Sequence, residues 1–539
     1  MASILTRQRG HGPMARGREI VLVLAATLLA VAALVGAWPA PWAGPTRAAP
    51  PDEVLVLAGA PQTLDPAGQG DIGSAAVTAQ LFESVTALDP SLVVRPALAS
   101  SWDIEDGGRK IVFHLRDGLT FSDGSQLGAA DVVRSWLRVI DPASPSPLAS
   151  LMIDVEGAAA RLAGTVEEDQ VGLLVTGNDV EVHLVRPAAD FVAIVAGPTF
   201  AVVPRGFVGD APIDADTFVG SGAYVVSAVT PTGLALTANE RYWAGTPPIR
   251  TIRLVGDLGG RSPVAAFEEG DLDYTGISSS DASWIRFDAT LGPKLREVPS
   301  LSVEYLGFDT SRPPFDDARV RRAFAAAVDW RRLVQLADID ATPANSMVPP
   351  GIPGRSDADF LPKHDPEAAR ATLAEAGFPN GEGFPEVTFL TGGSAYASGM
   401  IEDVERELGI TIRLETMDFD TYFDRLVVDP PAIWSLGWVA DYPGRNDFLG
   451  VLLRSGHSNN YGRWSNAEFD AAIDDAGAAT DPAAANAAYD RAEAIVQSEA
   501  PVVPLAYGPG WALSREGLLG AQQNGLGILR MAGLEWADQ

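Results

Sequence analysis

A chain of 539 residues that contains no cysteine has to hold itself together by burying apolar surface, because disulfide staples and thiolate-bound metals are closed to it. Its length supports that route: at roughly 150 residues per domain it holds about three domain-sized units with a sizeable core. With 47% hydrophobic and 20% charged residues, the composition is that of a folded soluble protein, not of a disordered chain or a polytopic membrane protein. The missing thiols also exclude cysteine-held iron–sulfur clusters, a cysteine nucleophile and a lipid-modified N-terminal cysteine. Seventy acidic residues face 39 basic ones, a net charge of -31. A phosphate backbone is therefore a poor partner, and nucleic-acid binding is set aside.

The first fifty residues differ in kind from the rest. Arg7, Arg9, Arg16 and Arg18 precede an uncharged apolar run from Ile20 to Val35, the pattern of an export signal. Pro39, Pro41, Pro45, Pro50 and Pro51 follow and read as an extended spacer. Residues 1–51 are thus expected to be a signal peptide or an N-terminal membrane anchor plus a Pro-rich spacer, with the folded body starting near Asp52. Either outcome exports that body, to the outer face of the cytoplasmic membrane or as a secreted or periplasmic protein. Without the first fifty residues the net charge is -35. Most of these carboxylates read as a solvated face.

Strand-like and helix-like segments then alternate without a fixed period, which predicts a mixed α/β protein with no internal repeat. Ile111, Phe113 and Leu115 alternate with polar neighbours as in a half-buried strand, and Asp117-Gly118 and Asp123-Gly124 mark turns after it. Asp131 is placed to cap a helix with Val132, Val133, Trp136, Leu137 and Ile140 on one face. Alternation predicts strands over 249–255 and 410–414, and helices are expected over 317–336, 366–376 and 483–499.

Reaction chemistry is represented mostly by absences. None of the three lysines (Lys110, Lys294, Lys363) lies in a phosphate-binding loop, and Gly220-Ser221-Gly222 and Gly525-Leu526-Gly527 lack the third glycine of a dinucleotide fingerprint. The five histidines are scattered without helical i,i+4 pairing, and no serine sits in a Gly-x-Ser-x-Gly elbow. No cofactor, metal site or catalytic residue is expected, and a hydrolase is the least favoured reading.

A series of ordered segments resembles the family 5 extracellular solute-binding proteins, the dipeptide- and oligopeptide-binding receptors of ABC importers. It begins with Thr63-Leu64-Asp65-Pro66, Leu81-Phe82-Glu83-Ser84-Val85 and Pro96-Ala97-Leu98-Ala99-Ser100-Ser101-Trp102. Its most specific block is Phe113-His114-Leu115-Arg116-Asp117-Gly118-Leu119-Thr120-Phe121-Ser122-Asp123-Gly124. Asn239-Glu240-Arg241-Tyr242-Trp243, Pro314-Phe315-Asp316-Asp317-Ala318-Arg319-Val320-Arg321 and Gly437-Trp438-Val439-Ala440-Asp441-Tyr442-Pro443 follow in order.

The resemblance implies a two-lobe periplasmic-binding-protein-like fold with a hinge, an additional subdomain and a discontinuous first lobe. By that analogy lobe I takes 52–90, 205–301 and 500–539, the added subdomain 91–204, and lobe II 302–499, with hinge crossings near Ser300 and Pro501. It implies a monomeric receptor that captures short peptides between the lobes and delivers them to permease subunits of an ABC transporter. In peptide-binding members the aspartate of the Trp438 motif meets the ligand ammonium, a role that falls here to Asp441; the bland alternative is that Asp441 pairs with an arginine or caps a turn. Trp438, with Tyr442, would line the cleft, though Trp438 also reads as a core aromatic. Gly444-Arg445 stand where relatives often carry an acidic residue and proline, so Arg445 either recognises a ligand carboxylate or pairs with Asp447. Asp309 replaces a common asparagine. Such departures keep a non-peptide solute open, such as an oligosaccharide, an opine or a metal chelate. In the same frame the missing cysteine removes the lipid anchor that single-membrane relatives use, leaving the Ile20–Val35 run or release.

Overall fold

The computed structural model describes residues 52–58, 61–188, 190–209, 213–337, 340–479 and 481–537; the export segment expected over 1–51 lies outside them. Two sheets organise the chain. The first has seven strands in the order Leu295–Val298, Gly510–Ser514, Tyr274–Ile277, Glu53–Leu57, Thr251–Val255, Gly233–Ala238 and Tyr224–Thr230. Glu53–Leu57 lies parallel to both of its neighbours, with Glu53 opposite Thr251 and Val56 opposite Tyr274, and the remaining pairs are antiparallel. The second has six strands in the order Thr342–Pro343, Val502–Tyr507, Ser302–Phe308, Ile433–Val439, Val387–Thr391 and Ile412–Thr416.

The chain passes from the first sheet to the second between Val298 and Ser302, and returns between Tyr507 and Gly510. The return differs from the break expected at Pro501. Val502–Tyr507 pairs with Ser302–Phe308, and its Pro504, which has no N–H to give the ladder, sits where the register slips between Glu304 and Tyr305. Proline here marks a bulge inside a strand instead of a boundary.

A four-stranded antiparallel sheet (Ala99–Glu105, Lys110–Leu115, Asp179–His183, Leu173–Thr176) carries the helix Ala129–Val139 on one face. The strand expected at 111–115 is there; the helix begins two residues before the expected cap. Asp131 lies in its first turn and accepts from Gly128 N–H at 3.0 Å, which stabilises the start from inside. Trp136 is fully buried on that helix and meets Phe113, Phe191 and Phe200 edge-on at 5.9, 6.2 and 6.5 Å, while its Nε1 donates to Phe200 O at 3.0 Å. The same core takes in Tyr442 and Val451 from the far end of the sequence.

Further segments match in outline. Helices span Pro366–Glu375 and Pro482–Glu499, and strands Thr251–Val255 and Ile412–Thr416. The long helix expected over 317–336 is two, Ala318–Ala327 and Trp330–Ala337. Val328 is extended, and Asp329 accepts from Arg332 N–H at 3.1 Å, starting the second helix afresh. Among the described residues no helix is long and apolar enough to cross a membrane.

Several of the motif residues turn out to be joints. Glu83, almost fully buried, accepts from Arg530 Nη2 at 2.7 and 2.8 Å, from the Tyr242 hydroxyl and from Trp243 Nε1 at 3.4 Å. Three segments far apart in sequence are thereby tied at one satisfied buried charge. Gly220-Ser221-Gly222 is a packing turn: a Cβ on Gly222 would come within 2.5 Å of Gln80 O, and Ser221 Oγ donates to Val202 O at 2.6 Å. Trp136→Ala should lower stability by about 3–5 kcal/mol through lost burial and the cavity left behind, read as a drop in the urea midpoint; a loss below about 1 kcal/mol would show that the three rings repack around the gap.

Candidate ligand site at the Trp438–Asp447 turn

The strand Ile433–Val439 is buried from Ile433 to Leu436 and opens at Gly437. Its partner across the ladder is Ser302–Phe308, with Tyr305 opposite Leu436. Trp434 crosses over Gly307, where a Cβ would lie 2.1 Å from the indole, so glycine is required for the two strands to pack. After Val439 the chain turns through Asp441–Gly444 into the short helix Arg445–Phe448. Gly444 is set by space as well: a Cβ there would meet the Tyr442 ring at 2.4 Å and lie 3.4 Å from Asp190 Oδ2.

This turn brings two carboxylates together. Asp447 has no exposed surface; its Oδ2 accepts from Trp438 Nε1 at 2.9 Å and from the Asp441 N–H at 3.1 Å, while its Oδ1 has no partner. Asp441 is half-buried as a residue, yet its Oδ2 is sealed from solvent and also without a partner. Burial pushes the Asp441 carboxyl up to about 7. Burial, and then the charge of Asp441, push Asp447 well above the carboxylate range, against the two N–H donors that favour its ionised form. Asp190, reaching the turn from the segment after the four-stranded sheet, is raised too, first by burial and then by the charge of Asp154, with the Tyr442 hydroxyl hydrogen-bonded to it.

Of the four residues singled out from the sequence, Asp441 and Trp438 meet through Asp447, and Tyr442 stands beside them, fully buried with its hydroxyl accepting from Asn446 Nδ2 at 3.0 Å. Arg445 faces elsewhere. Its guanidinium, 1% exposed, pairs with Glu493 at 2.5 Å and Asp490 at 2.8 Å and donates to Gly354 O and Asn486 O at 2.9 and 3.2 Å. The pairing with Asp447 is thus replaced by one with the helix Pro482–Glu499, which also spends the cation that a ligand carboxylate would need. Asp309 is likewise committed: it accepts from Arg312 Nε at 2.6 Å and Ser311 Oγ at 2.6 Å.

Asp447, Asp190, Tyr305 and Trp434 were not singled out from sequence. Tyr305 and Trp434 are buried with rings 5.5 Å apart, and neither the Tyr305 hydroxyl nor Trp434 Nε1 has a partner. Trp434 also meets Tyr461 at 6.1 Å, whose hydroxyl is pushed up to about 12 by burial and then by the charge of Asp441. For Asp447 a signal existed in its place six residues after Asp441 on the same turn; for Asp190, some 250 residues upstream, none did. Among the described residues no group of three or more histidines and carboxylates is disposed to hold a metal ion. The arrangement suits an organic cation, which can donate to orphaned carboxylate oxygens in a water-poor setting.

Comparison with known proteins bears on this geometry. The sequence profile described as "Bacterial extracellular solute-binding proteins, family 5 Middle" matches residues 93–460. The probable deoxycholate-binding periplasmic protein YgiS of Escherichia coli is 30% identical over 465 residues, covering 83% of this chain and 86% of that one. The structure of the Escherichia coli murein tripeptide binding protein MppA superposes with a TM-score of 0.81 at 25% identity, over 92% of this chain and 100% of the other. Haemophilus influenzae OppA in complex with RPPGFSPFR shares the fold, with a TM-score of 0.78 at 23% identity over 90% and 99%.

The buried carboxylates have a consequence for stability. Burial pushes the Asp441 carboxyl up to about 7 in the folded protein, from the ordinary value of about 4 when unfolded. The folded state therefore binds the proton more tightly, and stability falls as pH rises from about 4 to about 7. Asp441→Asn should accordingly raise the melting temperature of the unliganded protein at pH 8 and change it little at pH 4.5. A lower melting temperature at pH 8 would mean that Asp441 has a stabilising cation partner.

Proposed function

Because the chain belongs to the bacterial extracellular solute-binding proteins of family 5, we propose that it captures short peptides with a free amino terminus between its two lobes and hands them to the permease of an ABC importer. Asp441 receives the peptide α-ammonium, with Trp438 and Tyr442 beside it. The single observation that carries this reading is the sealed, partnerless Oδ2 of Asp441: a carboxylate is expensive to bury alone and is satisfied by a cation held close. The rest of an extended peptide can pair its backbone with strand edges and leave its side chains in hydrated space, so that sequence is read loosely.

On this reading lobe I is formed by 52–90, 205–301 and 500–539, apart from the strand Val502–Tyr507, which runs in the second sheet; the added subdomain is 91–204 and lobe II is 302–499. Closure needs only that the ligand bind the closed form better than the open one. The protein works as an exported monomer at the outer face of the membrane, its family being one of solute-binding receptors and not of enzymes.

A non-peptide solute is the second reading, favoured by the similarity to a probable deoxycholate-binding protein. For an anion such as a bile acid the turn offers no free cation among the arginines near it, since Arg445 and Arg186 are already paired with carboxylates. Mass spectrometry of ligand released by denaturing the purified exported body should show a ladder of short peptides; a sterol, sugar or chelate alone would contradict the proposal. Peptide at 100 times its dissociation constant should stabilise the protein by about 2.7 kcal/mol. Asp441→Asn should weaken peptides with a free amino terminus and leave N-acetylated ones nearly unchanged. Equal weakening of both would make Asp441 structural.

A further inference from the structure

We propose that Asp447 is a second cation-binding residue of this site, and that Asp441 Oδ2 and Asp447 Oδ1 together receive one primary ammonium group, which displaces a proton held between them. The inference rests on the reading of Asp441 as the ammonium receptor and extends it to which ligands are selected and under what conditions.

Geometry carries it. The Asp441 N–H donates to Asp447 Oδ2 at 3.1 Å and the Trp438 N–H to the same oxygen at 2.9 Å, which holds the Asp447 carboxylate against the Asp441 backbone, near enough to feel the charge of Asp441. What remains is one orphaned oxygen on each residue, Oδ1 of a fully buried Asp447 and Oδ2 of Asp441. A primary ammonium has three N–H donors and can serve both. A second observation points the same way. The hydroxyl of Tyr305 and Nε1 of Trp434, buried and partnerless, lie in the aromatic group that reaches Asp441 through Tyr461.

Other charges near the pair do not neutralise it. The groups packed against it are Asp190, the hydroxyls of Tyr442 and Tyr461, and behind them Tyr489. Arg445 is taken by Glu493 and Asp490, and Arg186 by Asp154 at 2.7 Å and Asp474 at 2.6 Å. With no cation supplied by these neighbours, two adjacent buried carboxylates retain a proton in the unliganded protein, and they titrate as a unit. The arriving ammonium takes the place of that proton, which leaves to solvent. Binding is then proton-linked: affinity rises with pH, by up to about tenfold per pH unit for each proton released, until the pair is ionised or the peptide ammonium begins to lose its own proton near pH 8.

The test uses tri-alanine and its N-acetyl and N-trimethyl forms, titrated calorimetrically from pH 5 to 8 in buffers of different ionisation enthalpy. Wild type should release protons on binding tri-alanine and bind it more tightly with rising pH, while binding the acetylated and trimethylated forms more weakly and without proton release. Asp447→Asn should weaken tri-alanine at least about tenfold at pH 8, as loss of one partner in a buried charge pair does, and reduce the proton release. Carbon-13 resonances of the aspartate carboxyls in the wild-type protein give a readout free of any folding defect: two should respond to tri-alanine, one removed by Asp441→Asn and the other by Asp447→Asn. Affinity and proton release unchanged in Asp447→Asn, or only the Asp441 resonance responding, would overturn this inference alone. A wild-type protein that binds none of the three peptides would overturn it together with the proposed function.

Discussion

Two carboxylates buried side by side without a cation are the constraint from which the rest of this structure is best understood. Asp441 and Asp447 each keep an oxygen sealed from solvent and partnerless, whereas several other buried ions among the described residues are held by partners. Glu83 collects three partners, Arg445 four, and Asp309 is clamped by Arg312 and Ser311. Two such oxygens, on residues joined at one turn, make an arrangement that a ligand can complete.

The fold supports that turn from three sides. The strand Ile433–Val439 is locked into the six-stranded sheet by its full ladder with Ser302–Phe308. The helix Pro482–Glu499 grips the following turn through Glu493, Asp490 and Arg445, with Ser346 bonded to the other oxygen of Glu493. From the third side, the core around Trp136 encloses Tyr442 and Val451 and brings Asp190 against the same residues. The ion pair from Arg186 to Asp474 joins those two parts of the chain at the surface nearby. Asp441 and Asp447, on which a cation would depend, share this one turn, and Asp190 reaches Tyr442 on it from a segment far away in sequence.

Much of the framework was legible in the sequence, for reasons that show where legibility stops. Strands 110–115, 251–255 and 412–416 follow from period-2 alternation, and the helices expected over 366–376 and 483–499 lie within a residue of their observed spans, each opened by an aspartate, Asp365 or Asp481, that acts within one turn of the backbone. Local signals failed where another local signal competed: Asp329 restarts a helix that hydrophobic spacing alone would continue, and the crossing expected near Pro501 falls after Tyr507 because the sheet absorbs the next proline, Pro504, at a bulge. Within the site, Asp441 was reachable because the end of an apolar strand is an unusual place for a carboxylate. For Arg445, sequence proximity offers Asp447 as the ion-pair partner, whereas the observed partners, Asp490 and Glu493, come from 45 and 48 residues further on. Asp190, Tyr305 and Trp434 acquire meaning only through tertiary contact.

The central claim is that a ligand cation completes the Asp441–Asp447 pair. A crystal structure of the receptor closed on the peptide it retains through purification tests that most directly. The account predicts the peptide amino nitrogen within about 2.7–3.2 Å of a carboxylate oxygen of Asp441, with Asp447 on the same nitrogen. A bound ligand that places no nitrogen at this turn, or that leaves both oxygens as they are here, would contradict it.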